Sequence, residues 1–490
     1  MRKINLLRKI LFCILLFLSF TVIACKDEQP DNPTNSDNGI IEGEYTPQVC
    51  PICSGEGTKA QPISYPAVSA HTPTTFVESS LKKTTHTIAT GVDQHTYTFK
   101  LNNGNTSQVI VTEVNLKHAG IAVGTKDNST STIVKTTINN MADAYEKANK
   151  DRVVVAAVNA DFFGGSTPVN ALVKDGIVMK NSHNDNGSYE HNSEISDIPA
   201  SMPMLFGVSG QTAQIAPIIK NGTTQETIQS EFCYELTLTR DGISTTLATE
   251  NQYVHNYYLE NRTKIKIEER YNIDKEAFAA ANSTVLKVKR HTKHGKYVHG
   301  EVVRIEKVSE IKSFKATEEF FYVMVPSKFD VTFKLGDIIS NELTSSDGTW
   351  AYFGQVIGAR HALVIDGQIP DTVAKESTNG GLRTNIPRTA VGILSNGNVV
   401  LLSVEALRYG GKSSSSSDPY GLSLPQLADF MRYIGVYSGA NFDGGGSTQL
   451  ISRKSPTSAM EVLVRSSDTG SSNLSSSRIV VNAVLVYVKK

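Results

Sequence analysis

The chain has little cysteine, one tryptophan and no excess of either charge. Five cysteines in 490 residues are too few for a disulfide-stapled scaffold. Forty-eight basic and 48 acidic residues leave a formal charge of zero, so there is no basic surplus to attract nucleic acid. The one long apolar run, Ile10 to Phe20, is too short to cross a bilayer, and no internal repeat recurs that would build a solenoid. At this length the chain is ample for one large core or two ordinary ones.

The chain opens with Arg2, Lys3, Arg8 and Lys9, then the apolar run, then Val22-Ile23-Ala24-Cys25. That order reads as a signal peptide over 1–24, and its ending resembles the lipobox of bacterial lipoproteins, with Cys25 as the lipidated first mature residue. Loss of 1–24 removes four basic residues and leaves 44 against 48, a formal charge of −4. The expected location is the cell envelope, on the periplasmic face or the cell surface. Residues 26–47 are polar and almost free of aliphatics, which suits a tether. Cys50-Pro51-Ile52-Cys53 is similar to one repeat of the cysteine-rich zinc modules of some co-chaperones. Structural zinc needs four ligands, so a disulfide or a free pair is expected instead. Residues 25–95 are thus read as a lipid-anchored tether with a small cysteine-containing segment.

From residue 96 onward short β-branched and aromatic runs dominate, among them 97–101, 109–114 and 120–123. Helical spacing occurs at Ile138, Met141, Ala144, Tyr145 and Ala148, and again from Ser423 to Gly435. Val153 to Val158 is apolar without alternation, the pattern of a strand buried on both faces. Asp-Gly and Asn-Gly pairs at 175–176, 366–367 and 396–397 mark hairpins. The segment 217–340 reads as a β-rich peripheral elaboration with a short helix near 276–282. His183 and His191 fall in a loop-like stretch, and His291, His294 and His299 on a charged hairpin, none with metal-ligand spacing. The predicted class is α+β: a mixed, strand-rich sheet core, a few packed helices and the inserted segment, with 96–490 as one domain.

Two stretches concentrate chemistry. Asn159-Ala160-Asp161-Phe162-Phe163-Gly164-Gly165 ends the buried run with an amide, a carboxylate and two rings. Rings stack on sugar faces, amides bind hydroxyls, and Asp161 is a candidate acid, base or orienter. A loop with Asx turns and core phenylalanines is the plain alternative. Asn441-Phe442-Asp443-Gly444-Gly445-Gly446-Ser447-Thr448 follows the second helix. Three glycines allow positive φ and bare N–H groups toward an anion, beside a carboxylate and two hydroxyls. A tight strand-end turn with Asp443 on its own backbone is the alternative. Ser447 lacks the Gly-x-Ser-x-Gly elbow of serine hydrolases.

These two stretches, with Pro387-Arg388-Thr389-Ala390-Val391-Gly392 and Arg478…Asn482-Ala483 in that order, resemble the phosphodiester glycosidase family. Its members include a lysosomal enzyme that removes N-acetylglucosamine from a sugar phosphodiester. The resemblance covers roughly 96–215 and 345–490. Two positions depart from the family pattern, Ile357-Gly358 and Val404-Glu405-Ala406. The resemblance implies hydrolysis of a glycosyl phosphodiester to release the sugar, with Asp161, Asp443, Arg388 and Arg478 as catalytic residues. Asn159, Phe163, Gly444, Gly445, Gly446, Ser447 and Thr448 would bind substrate. Two arginines suit a departing phosphate, since forked donors match its oxygens. No cofactor is assigned, and a divalent cation is left open, although hard cations usually take more carboxylates than these motifs supply. A non-catalytic glycan-binding lipoprotein is the competing function.

Overall fold

The computed structural model describes residues 63–126, 133–165, 167–170, 172–175, 177–180, 203–217, 233–240, 243–248, 255–256, 284–293, 297–307, 320–325, 332–344, 353–371, 373, 385–409, 411–415 and 418–490. Cys25, the Cys50/Cys53 pair, the 181–202 loop and the short helix near 276–282 lie outside them.

Among the described residues the strands form an 11-stranded, a 7-stranded and a 5-stranded sheet plus one two-stranded ribbon. The large sheet runs in the order Phe76–Ala89, Val92–Leu101, Thr106–Val114, Val399–Val404, Arg388–Leu394, Val436–Asn441, Gln355–Val364, Pro203–Ser209, Thr212–Pro217, with the hairpin Leu172–Lys174/Ile177–Lys180 joined to Gln355–Val364. The 5-stranded sheet is Met460–Val464, Leu450–Arg453, Arg152–Asn159, Ala483–Lys489, Gly120–Gly124. Strands between Cys233 and Thr344 make the 7-stranded sheet, inside the segment read as an elaboration.

The strand-rich reading stands, but the mixed sheet does not: every pairing recorded between the described strands is antiparallel. Parallel neighbours need long crossovers, usually helical, and only two α-helices of this chain are described, α1 (Ile138–Ala148) and α2 (Leu424–Tyr433). Short hairpins carry the connections instead. The hairpin expected at 361–369 is also different. Gln355–Val364 is one long strand, and its return is a single bridge from Ile365 to Gln368.

Both helices form where their caps predict. The Thr137 hydroxyl accepts from the Asn140 N–H at 3.2 Å, and Ser423 with Gln426 makes a reciprocal capping box with Pro425 in the first turn. α2 ends before Gly435, whose φ of 87° no β-carbon residue adopts readily. Its apolar face, Leu424, Leu427, Ala428, Phe430 and Met431, packs on the large sheet, and the Phe430 ring stacks on Phe99 at 5.3 Å between centroids. Each such ring contributes about 1.5–3 kcal/mol by full burial. α1 packs Ile138, Met141 and Tyr145 onto Val154, Ala157 and Leu485 of the small sheet, while Val155 and Val158 join the core shared with the large sheet. The Arg152–Asn159 strand is therefore buried on both faces, although its partners are antiparallel.

The folded body begins earlier than residue 96. Phe76–Ala89 is an edge strand of the large sheet, and the residues before it are clasped by the buried Asp429 carboxylate of α2. Asp429 accepts from the Thr74 and Thr75 N–H groups at 2.9 and 2.8 Å and from the Thr75 hydroxyl at 2.7 Å, with His71 Nε2 2.7 Å away. Polar residues 71–75 look like linker in sequence because their partner lies over 350 positions on.

Candidate active site

The two motifs meet where the large and small sheets exchange the chain. Val436–Asn441 belongs to the large sheet and Leu450–Arg453 to the small one, so the glycine turn is the crossover between them. Arg152–Asn159 is the small-sheet strand that pairs with Leu450–Arg453, and it delivers Asp161 to the same end. Phe442 and Asp443 are fixed from both sides: the Phe442 N–H donates to the Thr389 carbonyl and the Asp443 N–H to the Ala160 carbonyl, each at 2.8 Å.

The turn itself is a short 3₁₀ segment, Gly445–Ser447. Gly445 has φ of 56° and donates its N–H to the Pro387 carbonyl at 2.9 Å. At Gly446 an added Cβ would fall 2.0 Å from the Asp468 carboxylate. These two glycines are demanded by backbone shape and by close approach.

Asn159 is 1 % exposed and both ends of its amide are engaged. Its Nδ2 donates to the Asp443 carbonyl at 2.7 Å, and its Oδ1 accepts from the Thr389 hydroxyl at 2.7 Å and the Gln449 N–H at 3.0 Å. The structure thus places Asn159 as the tie between three chain segments. Asp161 is buried, and Asn170 donates to its two oxygens from the backbone N–H at 2.8 Å and from Nδ2 at 2.6 Å. The Asp161 N–H donates to Asn482 Oδ1 at 2.9 Å, which explains the adjacency of these motifs.

Asp443 is partly buried, and desolvation of its carboxyl pushes its pKa up to about 6. The Ser447 hydroxyl, the Arg478 charge, the Gly444 N–H and the Arg360 charge all oppose that rise. The site therefore holds a half-desolvated carboxylate facing two arginines, an arrangement typical of reacting positions. Arg360 was not singled out from sequence. It pairs with Asn441 across the sheet, and its guanidinium lies 5.4 Å from the Phe162 ring centroid. Two successive polar residues, Arg360 and His361, inside an apolar strand are the visible signal, for the strand bulges there with His361 at φ 56°.

Arg388 begins its strand as expected but is only 3 % exposed. Its Nε donates to the Leu422 carbonyl at 2.9 Å, and burial pushes its guanidinium down to about 10, still charged at neutral pH, with Tyr409 acting in the opposite sense. It lies under the turn, with Cδ 3.7 Å from where a Gly444 Cβ would sit. Arg478 is ion-paired with Asp468, and its guanidinium lies 5.9 Å from the Phe163 ring centroid. The Glu405 carboxylate grips Arg465 through Nε at 2.9 Å, NH2 at 3.0 Å and the backbone N–H at 2.9 Å, which fixes the segment leading to Asp468. Ser447 and Thr448 are both buried, Ser447 bonded to Asp443 and the Thr448 hydroxyl without a protein partner. Among the described residues no cluster of three or more His, Cys, Asp or Glu side chains surrounds a point that could hold a metal.

Residues 275–487 match the family model described as phosphodiester glycosidase. That span of the chain is similar to the family. The matched span takes in Arg360, Arg388, the Asp443 turn and Arg478. It leaves Asn159 and Asp161 outside, and begins within the segment that the motif resemblance left unmatched. Solved structures similar to the chain include a hypothetical protein from Synechocystis, at 14 % identity and TM-score 0.49, covering 83 % of this chain and 64 % of that one. The chain thus spans less than two thirds of that protein. An exported protein from Burkholderia pseudomallei follows at 12 % identity and TM-score 0.47, covering 86 % and 99 %. A third is the zebrafish N-acetylglucosamine-1-phosphodiester alpha-N-acetylglucosaminidase catalytic domain auto-inhibited by its pro-peptide, at 12 % identity and TM-score 0.37, covering 86 % and 96 %. No curated protein matches the sequence.

Proposed function

We propose that the protein hydrolyses a glycosyl phosphodiester and releases the free sugar at the crossover between the two sheets. The observation that carries this reading is Asp443, a desolvated carboxylate with Arg478 and Arg360 acting on it. Breaking a glycosyl–phosphate bond builds positive charge at the anomeric carbon and negative charge on the departing phosphate. The group that leaves is a phosphomonoester, a weakly basic anion, so cations matter more than a strong acid. Arg478, Arg360 and the charge of Arg388 beneath the turn supply that field in a partly water-excluded place. Asp443, ionised at neutral pH, stabilises the oxocarbenium-like carbon or orients the attacking water. Asp161, held by Asn170, is the second carboxyl group of the site. The sugar is of the kind found in N-acetylglucosamine-1-phospho-sugars, and the protein acts from the envelope, tethered to the membrane through lipid on Cys25.

The test is a screen of glycosyl-1-phosphodiesters, with and without chelator, that measures free reducing sugar. Release from one of them, lost in Asp443→Asn, supports the reading. Binding of the same compounds without release by any of them replaces hydrolysis with glycan binding.

A further inference from the structure

We propose that Tyr409 is the platform on which the sugar ring of the substrate rests, a role that presupposes the glycosyl-phosphodiester reading of the same site. The large hydrophobic side chains left exposed among the described residues are Ile63, Val77, Tyr409 and Ile479. Two of these four flank the site's arginines: Ile479 follows Arg478, and Tyr409 stands over the glycine turn. Tyr409 is 53 % exposed, yet its Cε1 lies 3.7 Å from where a Gly445 Cβ would be. One edge of the ring is thus set against the turn while much of the remainder faces solvent.

The backbone that carries the ring is also held. The ring projects from the segment after Val399–Val404, whose Ala406 and Leu407 are buried, and three successive turn bonds close that segment. Tyr409 N–H donates to the Ala406 carbonyl, Gly411 N–H to the Arg408 carbonyl and Lys412 N–H to the Leu407 carbonyl, each at 3.1 Å, while Arg408 Nε donates to the Ser415 carbonyl at 2.6 Å. An exposed aromatic on a backbone fixed in this way is a partly preorganised contact, because only its two side-chain torsions remain to be ordered on binding. A pyranose offers an apolar C–H face and a polar rim, which suits a ring with a phenol at one tip. The ring meets the turn at Gly445 and Arg388 meets it at Gly444, each 3.7 Å from where a Cβ would be, and the phenol acts electrostatically on Arg388, so the platform sits next to the charge assigned to the phosphate. Sugar on the ring and phosphate over the turn are the two halves of one glycosyl phosphate.

The experiment compares Tyr409→Ala and Tyr409→Phe with wild type in the full chain. Calorimetry reads the binding of N-acetylglucosamine 1-phosphate and of inorganic phosphate, and NMR saturation transfer reads contact with the sugar C–H protons. In Tyr409→Ala the sugar phosphate is expected to bind at least tenfold more weakly with its saturation transfer lost, while inorganic phosphate stays within about twofold. Tyr409→Phe should keep the sugar within about threefold, because the ring face remains. An alanine variant that binds the sugar phosphate like wild type overturns the assignment, as does one that loses inorganic phosphate equally, since the effect then runs through Arg388. Either result beside an active wild type leaves the proposed function standing; a wild type that neither binds nor cleaves sugar phosphates overturns both.

Discussion

Asn159 donates its amide N–H to the backbone carbonyl of Asp443 at 2.7 Å, across 284 positions of sequence. One buried side chain thus sets the height of the glycine turn relative to the strand that carries Asp161. Asn159→Ala removes three hydrogen bonds and leaves buried partners unsatisfied, at about 1–3 kcal/mol for each orphaned group. The expected result is a loss of roughly 2–4 kcal/mol in chemical denaturation, with activity falling in the protein that remains folded. A variant as stable as wild type would show that the tie does not hold the turn.

Asp443→Asn should lower turnover by about a hundredfold or more without unfolding the chain. The stability change should go the other way. With the folded pKa raised to about 6 from an ordinary value near 3.9, the folded state holds the proton more tightly than the unfolded chain. Asp443 therefore weighs least on stability below about pH 4, and stability falls as pH rises through 6. Above that, Asp443→Asn should gain on the order of 1–3 kcal/mol. Wild-type turnover should rise along a limb near pH 6; a rate that falls through that range would make Asp443 an acid. Asp161→Asn should also be slow, but destabilised, because a new amide N–H would face the Asn170 donors.

Arg388→Lys keeps a charge but loses the Nε bond to the Leu422 carbonyl and the planar fork. We expect phosphodiester turnover to fall by one to two orders of magnitude, and melting temperature to drop by a few degrees, since the group is buried. Calorimetry and kinetics on the same preparation check both. Full activity in a stable variant would retire Arg388 from the phosphate's field.

Asp468 neutralises Arg478 at the mouth of the site, where both are more than a third exposed. Such a pair is worth about 0–1 kcal/mol, so Asp468→Asn should change stability little. It should lower KM for a phosphodiester by a few fold at low salt, because Arg478 is then free for the anion, and the gain should shrink as salt screens it. An unchanged KM at every ionic strength would show that Arg478 does not meet the phosphate.

The lipid anchor rests on the Val22-Ile23-Ala24-Cys25 ending of a short apolar run. Cys25→Ser should abolish labelling by a palmitate analogue and release the protein from the membrane fraction. A wild-type protein found soluble and unlabelled would end the anchoring proposal.

Local signals were enough for both described helices, for the hairpin at 388–404 and for the buried run before Asn159, because caps, turn residues and apolar periodicity act over a few positions. The glycine turn announced itself for the same reason. Pairing between distant strands leaves no such local mark, so the antiparallel order, the early start at Phe76 and the clasp on Asp429 were decided by the tertiary structure. So was the division of labour inside the motifs. Asn159 reads like a sugar ligand until its partners Thr389, Gln449 and Asp443 surround it, and Arg360 reads like any strand residue until the fold brings its charge to bear on Asp443. Residue types are written in the chain, but burial and distance, which set the charge state of Asp443 and the duties of each amide, exist only once the two sheets meet.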